Sequence, residues 1–359
     1  MGRGRHFQYF RVNYCPESFS FAGVKILVIR FSSIGDIVLT SPVLRCLKNQ
    51  IPGAEIHFLT KKRFAGLLEH NPHITKIVAA DKVLRHTIAE LRKENYDVVI
   101  DLHHNLRSLR VKMMLFKPSF SFDKLNIKKW LWVNLKMDRM PDIHIVQRYL
   151  ETTKSLGVKD DGQGLEFYPC DCDLPDAEEF PEEIKGSPYV VLSIGGTHFT
   201  KKMPASKWIE LGKKIPLPMV IVGGKEDMEN GWQLSENLKK LGKKIWNAAG
   251  LFSIGGSAHL IRQSALVLSH DTGMMHIAAA FQKPIVAIWG NTSPKLGMAP
   301  FRTAHFNMEV NGLSCRPCSK IGYNSCPRNH FDCMQKQDIQ SADLQKFIQE
   351  AIENYLTAG

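Results

Sequence analysis

Val24-Lys25-Ile26-Leu27-Val28-Ile29-Arg30-Phe31-Ser32-Ser33-Ile34-Gly35-Asp36 is a nearly unbroken apolar run that stops at a short loop of small and polar residues. A run of that length and composition suits a strand buried on both faces of a parallel sheet. Ile37, Leu39, Val43, Leu44 and Leu47 follow at helical spacing, so the chain reads strand, tight loop, helix. That order is the opening unit of a doubly wound α/β fold.

Further apolar runs at 55–60, 76–78 and 96–102 extend the same alternation. A second series begins at 189–194 and continues through 219–222, 265–268 and 285–289. Between them the pattern gives way to Gly162, Gly164, Pro169, Pro175, Pro181, Gly186 and Pro188. The expected organisation is a basic tail (1–23), a Rossmann-like domain (24–165), a linker (166–188), a second Rossmann-like domain (189–340) and a closing amphipathic helix (341–359). Two facing sheets of this kind bind ligands in the crevice beyond the carboxyl ends of their strands.

A chain of 359 residues is long enough for two such cores, and its 44% hydrophobic and 23% charged residues suit a globular protein. No run approaches the roughly 18 apolar residues of a spanning helix, and the first 23 residues lack the pattern of a secretory signal. The net charge of +12 favours anionic partners. Cys15, Cys46, Cys170 and Cys172 are scattered while Cys315, Cys318, Cys326 and Cys333 crowd together, which suits a reduced cytoplasmic chain with one special cluster.

Four loops follow strands and carry chemistry. In Ser33-Ile34-Gly35-Asp36 the glycine admits close backbone approach, and Asp36 reads either as a general base or as a helix cap. Thr197 with Lys201 and Lys202 can hold a diphosphate, or form a solvated turn. The loop lacks the ending of a P-loop, which disfavours a kinase. Glu226, after the 219–222 strand, is placed to accept from ribose hydroxyls or to complement a helix dipole. Asp271-Thr272-Gly273-x-x-His276 opens a helix of small residues whose free N–H groups suit an anion, and His276 faces either ligand or core.

These loops, with Lys201-Lys202-Met203-Pro204 and Gly290-x-Thr292-Ser293-Pro294, resemble the heptosyltransferase family of lipopolysaccharide biosynthesis, glycosyltransferase family 9. The resemblance runs from about residue 24 to the end. It implies a GT-B fold with an acceptor-binding first domain and a donor-binding second. It implies metal-independent, inverting transfer of heptose from ADP-heptose to an inner-core glycolipid, with no cofactor required. Asp36 matches the family's base, Lys201 its phosphate-contacting lysine, Glu226 its ribose-binding acid, and Asp271, Thr272, Gly273 and His276 its donor motif. Met203 stands where the family often has Trp, so Lys202 remains the alternative to Lys201.

Between Arg107 and Lys136, cationic residues including Arg110, Lys112, Lys117, Lys124, Lys128 and Lys129 interleave with Met, Phe and Trp, a composition suited to an anionic glycolipid acceptor at the inner face of the cytoplasmic membrane. Ser33, Gly35, Arg107 and Lys128 are the expected acceptor or loop contacts. No nucleic-acid module accompanies these residues, so no nucleic acid is expected as a partner. Cys315, Cys318, Cys326 and Cys333, with His330, read as packed or redox-sensitive thiols, with a metal site as the alternative. Rival functions are transfer from another nucleotide sugar, a nucleotide-sugar epimerase, or a nucleotide- or nucleic-acid-binding protein without turnover.

Overall fold

The structure, a computed structural model, describes residues 23–358, so all of the expected basic tail except Gly23 lies outside the described residues. The first half runs β1 (Lys25–Ile29), α1 (Ile34–Val38), α2 (Ser41–Gln50), β2 (Glu55–Lys61), β3 (Lys76–Ala80), α3 (Leu84–Lys93), β4 (Val98–Asp101), α4 (Leu106–Leu115), β5 (Ser119–Ser121), α5 (Asn126–Leu135) and α6 (Ile145–Leu150). Its strands form one parallel sheet in the order β3-β2-β1-β4-β5. Ile26 to Ile29 of β1 are fully buried because β1 is central and covered on both faces, which is why its sequence does not alternate.

The second half runs β6 (Val190–Ser193), α7 (Ala205–Lys214), β7 (Met219–Val222), α8 (Met228–Lys239), β8 (Ile245–Asn247), α9 (Ile254–Gln263), β9 (Leu266–His270), α10 (Gly273–Ala280), β10 (Ile285–Trp289), β11 (His305–Glu309), α11 (Asp332–Gln335) and α12 (Ala342–Ala358). Its parallel sheet has the order β11-β10-β9-β6-β7-β8. Leu344, Ile348, Ala351 and Ile352 form the buried stripe by which α12 closes back on this sheet. Among the described residues, no helix is long and apolar enough to cross a membrane.

In each sheet the chain reverses its direction of growth once, between β1 and β4 and between β6 and β9, and loops at such switch points line ligand sites. One apolar cluster runs through both halves without a break. Phe167 meets Phe281 edge to face at 6.3 Å, and the Ile145 N–H donates to the Gly297 carbonyl at 2.8 Å. Burial pushes His144 down to about 3, so it stays neutral. Its Nε2 then donates to the Ala299 carbonyl at 2.8 Å while Nδ1 accepts from Val146.

Residues 151–188 are mostly irregular, with short 3-10 turns. Their start is held to the first half by ions: Arg45, only 3% exposed, binds Asp161 at 2.6 Å and Glu166 at 3.2 Å, and Glu166 also meets His73 at 3.1 Å. The expectation of a fully reduced chain fails at one pair. The 3-10 turn Asp171–Asp173 brings Cys170 and Cys172 to a Cα separation of 5.1 Å, and they are joined by a disulfide.

Arg45→Met is expected to cost about 2–4 kcal/mol in urea denaturation at pH 7, because it strands two partly buried carboxylates. The Arg45 ion pair holds Asp161 at about 2 rather than 3.8. A depressed carboxylate stabilises above its unfolded value and loses that contribution as pH falls through its folded one. The gap between wild type and variant should therefore close as pH is lowered from about 4 towards 2, and a gap independent of pH would contradict the assignment.

Candidate active site

Strand register brings the four loops together. Ser193 of β6 lies beside Val222 of β7 and Ser269 of β9, and Ile288 of β10 lies beside His270. The segments beginning at Ile194, Gly223, Asp271 and Gly290 therefore leave the sheet at one edge. The loop after β1 faces them, because the N-terminus of α1 packs on the N-terminus of α10. That approach requires bare backbone: a Cβ on Gly35 would lie 2.6 Å from His276 Cδ2, and one on Gly273 would lie 2.7 Å from Ile34 Cγ2.

Asp36 sits at the third position of α1 with Ser33 as the cap, so Asp36 caps by reaching back rather than by starting the helix. Its Oδ2 accepts from the Ser33 N–H at 3.1 Å and from Ser33 Oγ at 2.8 Å, and its Oδ1 pairs with Arg30 at 2.6 Å. Arg30 is buried and also donates to the Leu102 carbonyl, the Tyr149 hydroxyl and the Ser32 carbonyl. Burial opposes the charge on Asp36, but Arg30 and Ser33 outweigh it and hold the carboxyl below its ordinary value. Asp36 is thus ionised at neutral pH and oriented by two neighbours, while its side chain keeps 22% of its surface in the crevice.

Across the crevice, Lys201 Nζ pairs with Asp271 Oδ2 at 2.6 Å and donates to the Asp271 carbonyl at 3.1 Å. Thr292 Oγ1 donates to the same carboxylate oxygen at 2.9 Å. Lys202 instead pairs with Asp227 at 2.7 Å, and the Asp227 carboxylate also accepts from the Gly224 N–H. Glu226 is exposed beyond β7, its carboxylate folded over Gly224, and Thr197 is exposed on the neighbouring loop. His276 is 2% exposed and held at about 4, first by burial, so it is neutral at pH 7. The Nδ1 of His276, the Oγ1 of Thr272 and the side-chain amide of Asn291 are buried with no partner among the described residues. Buried polar atoms rarely stay unpaired, so an edge that collects them suits a polar ligand.

The expected acceptor contacts separate. Ser33 is exposed and Gly35 buried at the crevice, whereas Arg107 donates to the Asp81 carbonyl at 2.7 Å and lies over the Phe31 ring. Lys128 is exposed on α5, and Lys112 turns inward to Asp101 at 3.0 Å. Cys333 is buried and its thiol pushed up to about 12 by that burial, and Cys315 Sγ lies 3.8 Å from His330 Nε2. Among the described residues, no three His, Cys, Asp or Glu side chains are grouped so as to hold a metal ion.

The family model for glycosyltransferase family 9 (heptosyltransferase) matches residues 84–325. The chain belongs to this family. It is 27% identical to lipopolysaccharide heptosyltransferase 1 of Campylobacter coli over 297 residues, covering 75% of this chain and 84% of that protein. Its counterpart in Pseudomonas aeruginosa is 25% identical over 347 residues, covering 88% and 93%. The solved structure of ADP-heptose lps heptosyltransferase II of Escherichia coli superposes with a TM-score of 0.67 at 19% identity, covering 91% and 99%. The fold is the GT-B arrangement of two facing Rossmann-like domains.

Several residues of the glycosyltransferase escaped sequence reading. Arg30, read only as a strand end, orients Asp36, and Asp227 takes Lys202. Asp101, wholly buried at the end of β4, accepts from the N–H groups of His103 and His104 and from Ser108 Oγ. An ionisable residue interrupting a continuous apolar strand was the available signal in Arg30 and Asp101.

Gly273→Ala should force α1 and α10 apart, since the nearest atoms are Cγ2 and the branched Cβ of Ile34 and the backbone nitrogen of Gly35. A displacement on the order of 1 Å between reacting groups can cost about 100-fold in rate. A loss of that order in kcat/KM, with the fold retained by circular dichroism, is the expected outcome. Near-normal turnover would mean that this contact does not set the site.

Proposed function

We propose that this glycosyltransferase transfers heptose from ADP-heptose to the inner core of lipopolysaccharide, by metal-independent single displacement with inversion. The single observation that carries the reading is an ionised, oriented Asp36 facing Asp271, Lys201 and the N-terminus of α10 across a glycine-lined crevice. The donor is supported by the name of the Escherichia coli structure, and the acceptor by those of the curated relatives.

In this reading Asp36 removes the proton of an acceptor hydroxyl, whose oxygen attacks C1 of the sugar from the face opposite the diphosphate. The C1–oxygen bond to the diphosphate breaks, ADP leaves, and the proton remains on the Asp36 carboxyl. Lys201, set by Asp271 beside the free N–H groups of α10, meets the charge that develops on the leaving diphosphate. Thr272 and His276 supply polar atoms to the donor, and Glu226 accepts from the ribose. Both lysines are ion-paired; Lys201 is assigned the phosphate contact because its partner Asp271 leads into α10, with Lys202, held by Asp227, as the alternative.

Residues 24–165 form the acceptor half, 189–340 the donor half, 166–188 the linker and 341–359 the closing helix. Leu106, Phe116 and Ile127 are 85%, 90% and 77% exposed on α4, its end and α5, among Arg110, Lys117 and Lys128. That combination supports docking on the anionic inner face of the cytoplasmic membrane, where the glycolipid is presented.

Asp36→Asn should lower kcat by about 10²- to 10⁴-fold, the usual worth of a general base, while calorimetric affinity for ADP stays as in the wild type. Unchanged turnover would sink the base assignment. Preference for UDP or GDP over ADP would retire the heptose donor and keep the glycosyltransferase.

A further inference from the structure

The first half carries cations near Asp36 that form no ion pair with a carboxylate among the described residues. Lys124 and Lys129 form no ion pair among the described residues. Arg148 is only 4% exposed, yet its Nε and Nη2 have no partner, and only Nη1 donates, to the Asp123 carbonyl at 3.0 Å. Arg30 already holds Asp36, a carboxylate near both lysines. Burying unpaired cations together costs free energy unless something anionic joins them.

A further cation arrives from the second half, on the loop that bears the cysteines. That loop is fixed to its own domain: the Tyr323 N–H donates to Thr200 Oγ1 at 2.8 Å, the Cys318 N–H to the Asn291 carbonyl at 3.2 Å, and Arg316 pairs with Glu309 at 2.7 Å. It is also fixed to the opposite domain. Lys136, capping α5, donates from Nζ to the Cys315 carbonyl at 3.0 Å and the Pro317 carbonyl at 2.7 Å. Between these anchors Ser319 Oγ accepts from the N–H groups of Ile321 and Gly322, forming the turn that carries Lys320. Lys320 is exposed, unpaired among the described residues, and near enough to Lys124 and Lys129 to repel both.

We propose that the cysteine-bearing loop is a cross-domain arm, and that its Lys320 joins Lys124, Lys129 and Arg148 in binding an anionic group of the acceptor, carboxylate or phosphate, beside Asp36. The inference rests on the glycosyltransferase reading above and names the part of the acceptor that the site grips. The electrostatics agree: burial first, then Arg148 and Lys320, push Lys129 down to about 8, the strain that a bound anion removes. The thiols then have a structural task. Cys333 lies in the apolar core under the loop, and Cys318 is half-buried beside the Asn291 anchor. Because the arm spans both halves, the acceptor site is complete only while the crevice is closed.

The test is calorimetric titration of the full chain, without donor, with an inner-core lipopolysaccharide glycolipid that lacks heptose. Lys320→Ala should weaken binding about tenfold, the worth of one charge-assisted contact, and Lys320→Arg should restore most of it. Lys136→Met, which frees the arm from α5, should weaken it in the same direction, and ADP affinity should not change in any of these variants. Glycolipid with its carboxylates reduced, and glycolipid with its phosphates removed, separate the two sources: the treated form that binds wild type and Lys320→Ala alike lacks the group that Lys320 holds. Equal affinity of wild type and Lys320→Ala for the intact glycolipid overturns the arm and leaves the glycosyltransferase reading standing. Failure of the wild type to bind the glycolipid at all overturns the acceptor assigned above, and the arm with it.

Discussion

Everything at the site depends on how closely α1 can approach α10. Two helix N-termini meet across the interdomain crevice, that of α1 capped by Ser33 and Asp36 and that of α10 without a side-chain cap, and glycine at 35 and 273 lets their backbones come together. The arrangement sets the positive end of α10 against the ionised Asp36 at the tip of α1.

The two sides of the crevice treat charge differently. On the side of the second half the lysines are already paired within the protein: Lys201 with Asp271 and Lys202 with Asp227. Asp36 is held likewise by Arg30. Paired groups are preorganised, so little reorganisation is left for the moment of reaction. On the side of the first half Lys124, Lys129 and Arg148 form no ion pair among the described residues, and burial together with neighbouring cations weakens the hold of the two lysines on their protons. Preorganisation of this second kind stores its cost in the free protein and releases it on binding.

Most of the architecture was legible because the strands at the centres of the two sheets are buried on both faces. Runs such as Ile26 to Ile29 and Ile285 to Trp289 are apolar throughout, and no solvent-facing alternation obscures them. The strands that went unread, β5, β8 and β11, are all edge strands; β5 and β8 have three residues each and β11, with five, is partly exposed along most of its length, so none leaves an apolar signature. The disulfide between Cys170 and Cys172 was likewise invisible, since it depends on a local 3-10 turn rather than on spacing alone.

By itself the sequence determined two parallel α/β sheets, the loops at their carboxyl ends and the residue types those loops carry, because strand periodicity and loop chemistry are local properties of the chain. Only the tertiary structure decided who pairs with whom. That Lys201 takes Asp271 and Lys202 takes Asp227, that Arg30 orients Asp36, and that Arg107 lies over Phe31 while Lys124 and Lys129 gather near Asp36, all follow from register and from the closing of one domain on the other. Adjacent lysines are chemically alike in a sequence. They differ once each is fixed against a different strand end, where a few ångströms separate an ion pair from a free charge.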